Sequence, residues 1–562
     1  MTPKLHGELL HRKRRRLRTV LMSTVSLGMA THAMAQSAQP APAQAAQPNA
    51  GQPAAAQVSR PNGADNPASV DIKAFIIRGN TTLNTLDIEK AVYPFEGPNR
   101  TMKDVLAAAD ALTRAYQDKG FQTVTVGVPD QHVTNGVIYL QVEELSVGHV
   151  RVVGAEYSSP QEIRDAVPAL AEGKVADFTQ AQAQLGDLNK SGDRQVTPTL
   201  VQGVMPQTVD VTLNVDDHSP WHGSLELNND QSPDTSVLRT VAAISNSNLW
   251  QLGHTLSASF LVAPQHPSDA EVVTGAYSAP LPGTNWVFQG SVLYSNSNVA
   301  AGGSTTVLGK GTSLGLTASY ALPSTDTYSQ TASVELDYKH FDENDTIVGQ
   351  PEGEFPLTYV PVTLAYNGQL NYAHDRSTFG TSLLINIPGL GSGVQAFDNK
   401  RFNATADFVI AKFNASYLHL FDKDYQLSAR ANAQLANEPV VSSEEFAAGG
   451  INTVRGYLEA EETGDNGVIG SIEFRTPSIA KYVNSNLDEW RFHAFVDGGH
   501  LWLLSPLPEQ ISSFNMLSLG IGSTMQLFKY ASADLEMAFP LKAGISTRAY
   551  NPRFDFYIRA SF

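Results

Sequence analysis

The sequence predicts two α+β repeats followed by an all-β transmembrane barrel of sixteen antiparallel strands. Three observations predict it. From Trp221 to Phe562 helical periodicity disappears, and apolar and polar residues alternate instead. Charged residues make up only 17% of the 562 residues, yet no run of about 18 apolar residues follows the N-terminal region, so a helical span is excluded there. A barrel resolves the two facts, because alternating strands average out in hydropathy. Ahead of the alternating region, the order strand, helix, helix, strand, strand occurs twice.

Residues 1–35 read as a secretory signal. Arg12, Lys13, Arg14, Arg15, Arg16 and Arg18 form a basic region, Thr19 to Ala30 a short apolar one, and Ala33-Met34-Ala35 a small-x-small cleavage site before Gln36. Residues 36–69 are rich in Ala, Pro and Gln, with no amphipathic period, and read as a linker. The chain has a net charge of −17, and losing residues 1–35 would make it more acidic still. That balance argues against a nucleic-acid partner. The absence of cysteine excludes disulfides and thiolate metal sites and suits passage through an oxidising compartment.

Residues 70–145 form the first repeat. Val70 to Arg78 is a strand candidate ended by Gly79-Asn80, and Thr85 to Val92 a short helix. Met102 to Lys119 is a longer helix, with Val105, Leu106, Ala109, Leu112 and Tyr116 mostly three or four residues apart, capped by Gly120. Phe121 to Val126 and Val137 to Val142 complete the unit as strands. Residues 146–217 repeat the order: His149 to Val153, helices Ser159 to Val167 and Phe178 to Lys190, then Thr197 to Val204 and Thr208 to Val215 about the turn Met205-Pro206-Gln207.

Residues 218–562 are the barrel. In the last segment Phe554, Phe556, Ile558, Ala560 and Phe562 alternate with Arg553, Asp555, Tyr557, Arg559 and Ser561. Val334, Leu336 and Tyr338 likewise alternate with Ser333, Glu335, Asp337 and Lys339. The expected arrangement is apolar residues toward lipid and polar ones toward a lumen, joined by turns such as Phe421-Asp422-Lys423-Asp424 and Phe528-Lys529-Tyr530. Sixteen candidate strands run from 221–229 to 552–562, among them 357–374, 377–387, 403–420, 425–438, 466–477 and 489–499. The chain stopping inside a strand on Phe562 fits closure on the last strand.

One stretch breaks the alternation: Gly449-Gly450-Ile451-Asn452-Thr453-Val454-Arg455-Gly456-Tyr457, closing at Gly464-Asp465. Taken alone it suits an exposed loop equally well. Two later strands give it a setting. Trp490, Phe492, Ala494 and Val496 form an apolar series that turns Arg491, His493, Phe495 and Asp497 inward, and Val468, Gly470, Ile472 and Phe474 do the same for Ser471, Glu473 and Arg475. A loop folded into the lumen, over about residues 440–465, would set Arg455 against these carboxylates. Singly, Glu473, Arg475, Arg491 and His493 read best as solvated lumen residues. Glu444-Glu445 and the group Glu459, Glu461 and Glu462 read as solvated loop charge. No catalytic set, metal-ligand spacing or cofactor motif occurs.

Two β-α-α-β-β units ahead of a barrel with such a loop resemble the two-partner secretion transporters. These are the haemolysin secretion/activation family of the superfamily that joins POTRA domains to a barrel. The resemblance covers residue 70 to Phe562 and rests on three motifs: Val454-Arg455-Gly456-Tyr457 between Gly449-Gly450 and Gly464-Asp465; Phe495-Val496-Asp497-Gly498-Gly499; and Arg194-Gln195-Val196-Thr197-Pro198-Thr199-Leu200 running on through Thr208-Val209-Asp210. In that family the equivalent arginine pairs with the aspartate of the strand motif, which carried over is Arg455 with Asp497, beside Gly498 and Gly499.

The resemblance implies a bacterial outer-membrane pore, not an enzyme, that exports a large unfolded β-rich exoprotein (TpsA-type) without ATP. Its two POTRA units would receive the cargo in the periplasm. Exposed strand edges there offer backbone pairing to an extended chain; Phe121, Val124 and Val126 on one edge and Arg194 near the second hairpin are the candidate contacts. Outer-membrane lipid and the barrel-assembly machinery are the further partners. An assembly insertase of the same superfamily and a passive porin are the rival readings. Residues 36–69 show no pattern like the amphipathic helix that often plugs the lumen in the family: either the plug is missing or an Ala-rich piece such as Ala41 to Ala50 does its work poorly, and comparing single-channel conductance with and without residues 36–69 decides.

Overall fold

The computed structural model describes residues 69–302, 305–342, 344–345, 353–354, 356–483 and 486–562. The expected signal, residues 1–35, lies outside the described residues, as does the linker save Ser69. The described residues divide into two compact units, one built from residues 69–220 with 250–252 and one from residues 221–249 and 253–562.

In the first unit each repeat packs two helices on a three-stranded sheet. The first repeat places Val137–Glu144 centrally, parallel to Ala74–Arg78 and antiparallel to Val124–Gly127. Leu112 and Tyr116 of the helix Met102–Asp118 pack on Val124, Ile138, Leu140 and Val142, the period-four face meeting the period-two face. The expected strand Val70 to Arg78 is two strands, because Lys73 turns its N–H to Gly136 O at 2.8 Å. The first piece, Val70–Ile72, pairs with Gly97–Arg100, a strand that alternation could not show because it contains a glycine and a proline.

The second repeat places Thr208–Asp217 between Ser146–Val153, parallel to it, and Arg194–Gln202, antiparallel. Its helices are Pro160–Asp165, capped by Ser159, and Phe178–Leu188, capped by Asp177. Asp217 accepts the N–H groups of Glu156, Tyr157 and Ser158 at 2.8, 3.0 and 2.7 Å, which fixes the chain ahead of the first of these helices.

Among the described residues sixteen antiparallel strands close into the barrel. The first, Trp221–Asn228, pairs with the sixteenth, Arg553–Ser561, from Ser224↔Ser561 to Asn228↔Tyr557. Alternation places side chains as the physics of a lipid exterior requires. Phe492 and Val496 are 46% and 54% exposed on the outer face, whereas Arg491, His493, Phe495 and Asp497 are buried inside. Turns at one end are short: Phe528 and Lys529 both have positive φ, the conformation that suits a tight hairpin. Aromatic rings gather near that end, among them Trp286 with Tyr320 (centroids 4.8 Å apart) and Tyr425 with Phe474 (5.7 Å), as in the girdles of membrane barrels. The opposite end carries the long loops.

Strand boundaries depart from the sequence reading in one informative place. The tenth strand is Val409–Leu420 and not 403–420, and it is preceded by a short helix, Val394–Lys400. Phe397 of that helix packs against Tyr359 and Phe408 with centroids 5.9 and 6.2 Å apart. The tertiary aromatic cluster, and not local periodicity, sets the helix.

Candidate functional site

Between the eleventh strand, Gln426–Ala436, and the twelfth, Asn466–Arg475, residues 437–465 fold into the lumen. The arms of this loop pair as a short antiparallel ladder, Phe446–Ala448 with Glu462–Gly464. Its tip turns on Gly449 and Gly450 at φ 111° and 98°, where added β-carbons would collide with Leu458 O and the Glu459 carboxylate. Thr453 closes the turn, its hydroxyl accepting from Gly449 N–H at 2.8 Å and donating to Gly449 O at 2.7 Å. Gly456, at φ 90°, lets the chain pass Ala538, whose Cβ would be 3.1 Å from a side chain there. Ala448, Val454 and Tyr457 pack on Ile469, Leu501 and Met516 of the wall. The Tyr457 hydroxyl lies 3.1 Å from Leu517 O and 2.8 Å from Lys542 O.

That framework drives Arg455 against three strands. Nε donates to Asp497 Oδ2 at 2.7 Å and Nη2 to Asp497 Oδ1 at 3.0 Å, a bidentate pair, and the Arg455 backbone N–H also reaches Oδ2 at 3.1 Å. Nη1 donates to Glu473 Oε2 at 2.6 Å and to Glu536 Oε1 at 3.0 Å; Nη2 also reaches Ser471 Oγ at 3.1 Å. The five N–H donors of a guanidinium thus have five acceptors. The guanidinium carbon lies 3.4 Å from the Phe495 ring centroid, so the ring's negative face adds to the carboxylates. Arg455 is 3% exposed and Asp497 0%.

The neighbours divide into those that join this network and those that do not. His493 Nε2 lies 3.1 Å from Glu536 Oε1, and Arg475 Nε donates to Glu473 at 2.5 Å. Glu473 and His493 are therefore buried partners, not the solvated residues expected singly. Glu473, His493 and Glu536 bring one donor atom each within 4.8 Å, a grouping a cation would use; the guanidinium of Arg455 bonds two of them. Arg491 is inward but serves the short-turn end, donating to Asp424 O at 2.8 Å, Asp424 Oδ2 at 2.7 Å and Thr476 O at 3.0 Å. Gly499 faces inward, and a β-carbon there would lie 3.5 Å from Val454 Cγ2, whereas Gly498 sits on the alternate face. Gly464 runs close to the wall, a β-carbon there lying 3.0 Å from Trp502 O.

The acidic loop residues correct the sequence reading. Glu444 and Glu445 are buried, not solvated. Glu444 meets Lys339 Nζ at 2.5 Å and the Tyr359 hydroxyl at 2.8 Å; Glu445 pairs with Arg401. Glu461 accepts from Leu458, Ser546 and Thr547 N–H at 2.9, 2.8 and 2.6 Å, Glu462 accepts from Ile545 N–H at 2.8 Å, and Glu459 packs against Asp230. Glu444, Glu445, Glu461 and Glu462 are buried because distant strands and loops supply N–H donors or cations, which sequence spacing does not reveal. The density of glutamate beside paired glycines was the available signal. Asp465 accepts from Val440 N–H at 2.7 Å, from Leu504 N–H at 2.6 Å and from Arg401 Nη2 at 2.5 Å.

In the N-terminal unit, Val124–Gly127 is an edge strand of its sheet, with Val124 pointing into the core and Val126 half-buried. Phe121 precedes that strand and lies edge-on to Tyr116 at 6.5 Å, so it belongs to the core, not to the edge. Arg194 opens the edge strand Arg194–Gln202, but its guanidinium folds back on Leu188 O at 3.1 and 3.3 Å, at the C-terminus of the helix Phe178–Leu188. Burial lowers its pKa, and Asp217 acts in the opposite direction.

Comparison with known proteins gives this architecture a lineage. The sequence pattern of the haemolysin secretion/activation proteins ShlB/FhaC/HecB matches residues 207–525, and that of the ShlB-type POTRA domain matches residues 70–144. The chain is 23% identical over 412 residues to an outer membrane transporter CdiB of Dickeya dadantii, covering 69% of this chain and 68% of that one. Among solved structures, CdiB from Escherichia coli aligns with a TM-score of 0.64 at 18% identity, over 90% of this chain and 93% of that one. BamA from Haemophilus ducreyi lacking POTRA domains 1–3 aligns with a TM-score of 0.53 at 14% identity, over 88% of this chain and all of that one. The chain, a POTRA-bearing barrel of the outer membrane with its POTRA units in the periplasm, belongs to the haemolysin secretion/activation family of two-partner secretion transporters.

Proposed function

We propose that the lumen loop is a lock, and that an unfolded β-rich exoprotein passes the barrel when the Arg455 tip leaves its carboxylates. The single observation that carries this reading is the saturation of the Arg455 guanidinium by acceptors on three strands of the lumen wall. Such a contact holds one loop position, yet a moving chain can dissolve it, because an arriving backbone offers replacement donors and acceptors. Extended cargo is recruited by pairing with exposed strand edges of the POTRA units, of which Arg194–Gln202 is one. Folding of the cargo outside supplies direction without ATP. Outer-membrane lipid meets the apolar outer face, and the barrel-assembly machinery inserts the protein. No catalytic step, cofactor or nucleic acid enters this reading.

The test is Arg455→Ala. Removing the arginine leaves three buried carboxylates short of a cation, a local cost of about 3–5 kcal/mol. The expected outcome is an inserted, heat-modifiable barrel that no longer releases cargo to the medium; wild-type release would overturn the proposal. The cargo itself is read from the neighbouring reading frame, where a very large secreted protein with β-helical repeats is expected. An insertase would have no such neighbour.

A further inference from the structure

Arg401 ties together both arms of the lumen loop at its neck, far along the chain from the Arg455 motif. It follows the helix Val394–Lys400, and its own N–H bonds Phe397 O at 2.9 Å, so the buried aromatic cluster fixes where its side chain starts. Nη1 reaches Val440 O at 2.8 Å and also pairs with Glu445, both on the outgoing arm. Nη2 reaches Asp465 on the returning arm at 2.5 Å and Leu504 O, in the loop after the thirteenth strand, at 3.3 Å. Asp465 reinforces the tie by accepting from Val440 N–H at 2.7 Å. Gln434 Nε2 bridges the arms again, donating to Glu444 O at 2.7 Å and Asp465 O at 3.1 Å. Meanwhile Lys339 and Tyr359, on the seventh and eighth strands, hold Glu444. The tip is held by Glu473, Asp497 and Glu536, on the twelfth, thirteenth and fifteenth strands. The arginine ties at tip and neck are therefore made by separate residues to separate parts of the barrel, beside the bonds from Glu461 and Glu462 to residues 545–547.

We propose that Arg401 is a positioning residue that keeps the neck of the loop closed while the tip at Arg455 releases, so that the loop moves as one hairpin about a fixed neck. The inference rests on reading Arg455 as a lock. It follows from the difference between the two fastenings. The neck joins the arms to each other and to two other loops, and can stay intact through motion of the tip. The Arg455 guanidinium at the tip bonds only strands of the wall, and those bonds must break for the lumen to clear. A lysine cannot replace Arg401, because a single ammonium does not span carboxylates on two arms as a guanidinium fork does.

The chain has no cysteine, so disulfides can be placed without background. Ala447 and Thr463 face each other across the arms, and Val454 Cγ2 lies 3.5 Å from the β-carbon that Gly499 would carry. The experiment records single-channel conductance of the full chain in planar bilayers in potassium chloride, oxidised and then reduced. A neck staple, Ala447→Cys with Thr463→Cys, should leave opening frequency within about twofold of wild type in both states. A tip staple, Val454→Cys with Gly499→Cys, should abolish openings until reduced. Arg401→Ala should give irregular subconductance levels, Arg401→Lys should correct them only in part, and adding the oxidised neck staple to Arg401→Ala should restore regular openings. Openings lost in the neck staple and regained on reduction, or a staple that fails to correct Arg401→Ala, would overturn the proposal and leave the lock standing. Openings that persist with the tip stapled would overturn the lock, and the proposal with it.

Discussion

Arg455 donates from every N–H of its side chain, and that saturation makes its replacement predictable. Arg455→Lys retains the charge but has three donors and no planar fork, so it can meet Asp497 or the two glutamates but not all three. Cargo release should fall at least tenfold, as measured by the secreted protein in culture medium; near-wild-type release would show that charge alone suffices. A second residue-scale prediction concerns acid. Burial would raise the Asp217 pKa, but three N–H donors outweigh it, and the carboxyl titrates below its ordinary range. A depressed folded-state value means that the stabilisation is fully present above the unfolded pKa of about 3.9 and fades as pH falls through the folded value. Asp217→Asn should therefore destabilise the POTRA unit at pH 7 by about 2 kcal/mol and flatten its acid dependence below pH 4. Calorimetry across pH checks both, and an unchanged acid profile would refute the assignment.

At the scale of elements, the lumen loop depends on backbone conformations that only glycine adopts easily. Gly449 combines φ 111° with a collision between any β-carbon and Leu458 O. Gly449→Ala should cost about 1–3 kcal/mol in strain alone and loosen the tip with the ladder Phe446–Ala448 intact. Protease added to whole cells should then nick residues 449–461 at least several-fold faster than in wild type; equal resistance would mean that the tip tolerates the side chain. The same tight chain path explains why Glu461 matters. Its carboxylate receives N–H groups from the loop after the fifteenth strand, Ser546 and Thr547, so the lumen loop and a second loop share one anion.

For the whole molecule, each unit has its own buried clusters: two in the POTRA repeats and two in the barrel with its loop. Units that bury separate cores unfold separately. Heating the protein in detergent should give two transitions, with the barrel the higher, because its ladder is closed and no strand edge is free to fray. Asp217→Asn should lower only the first transition. A single merged transition, or a shift of both, would contradict independent units. The fold also explains why low charge coexists with an acidic balance. Leu316, Ile472 and Ile521 face outward, while Glu473, Asp497, Glu536 and Asp555 are collected inside.

The amino-acid sequence by itself determined the α+β repeats, the alternation that makes strands, and which face of each strand is apolar, because these are local properties with fixed periods of 3.6 and 2. It also marked Gly449 to Tyr457 as an interruption, since paired glycines and a lone arginine fit neither period. Other features were decided only by tertiary structure. The strand Gly97–Arg100 exists because Val70–Ile72 needs a partner. The helix Val394–Lys400 exists because Phe397 finds Tyr359 and Phe408. Glu444, Glu445 and Glu461 are buried because Lys339, Arg401 and the N–H groups of Ser546 and Thr547 reach them from up to 105 residues away in sequence. Barrel closure brings such residues together, and charge in a sequence carries no mark of the partner that closure will supply.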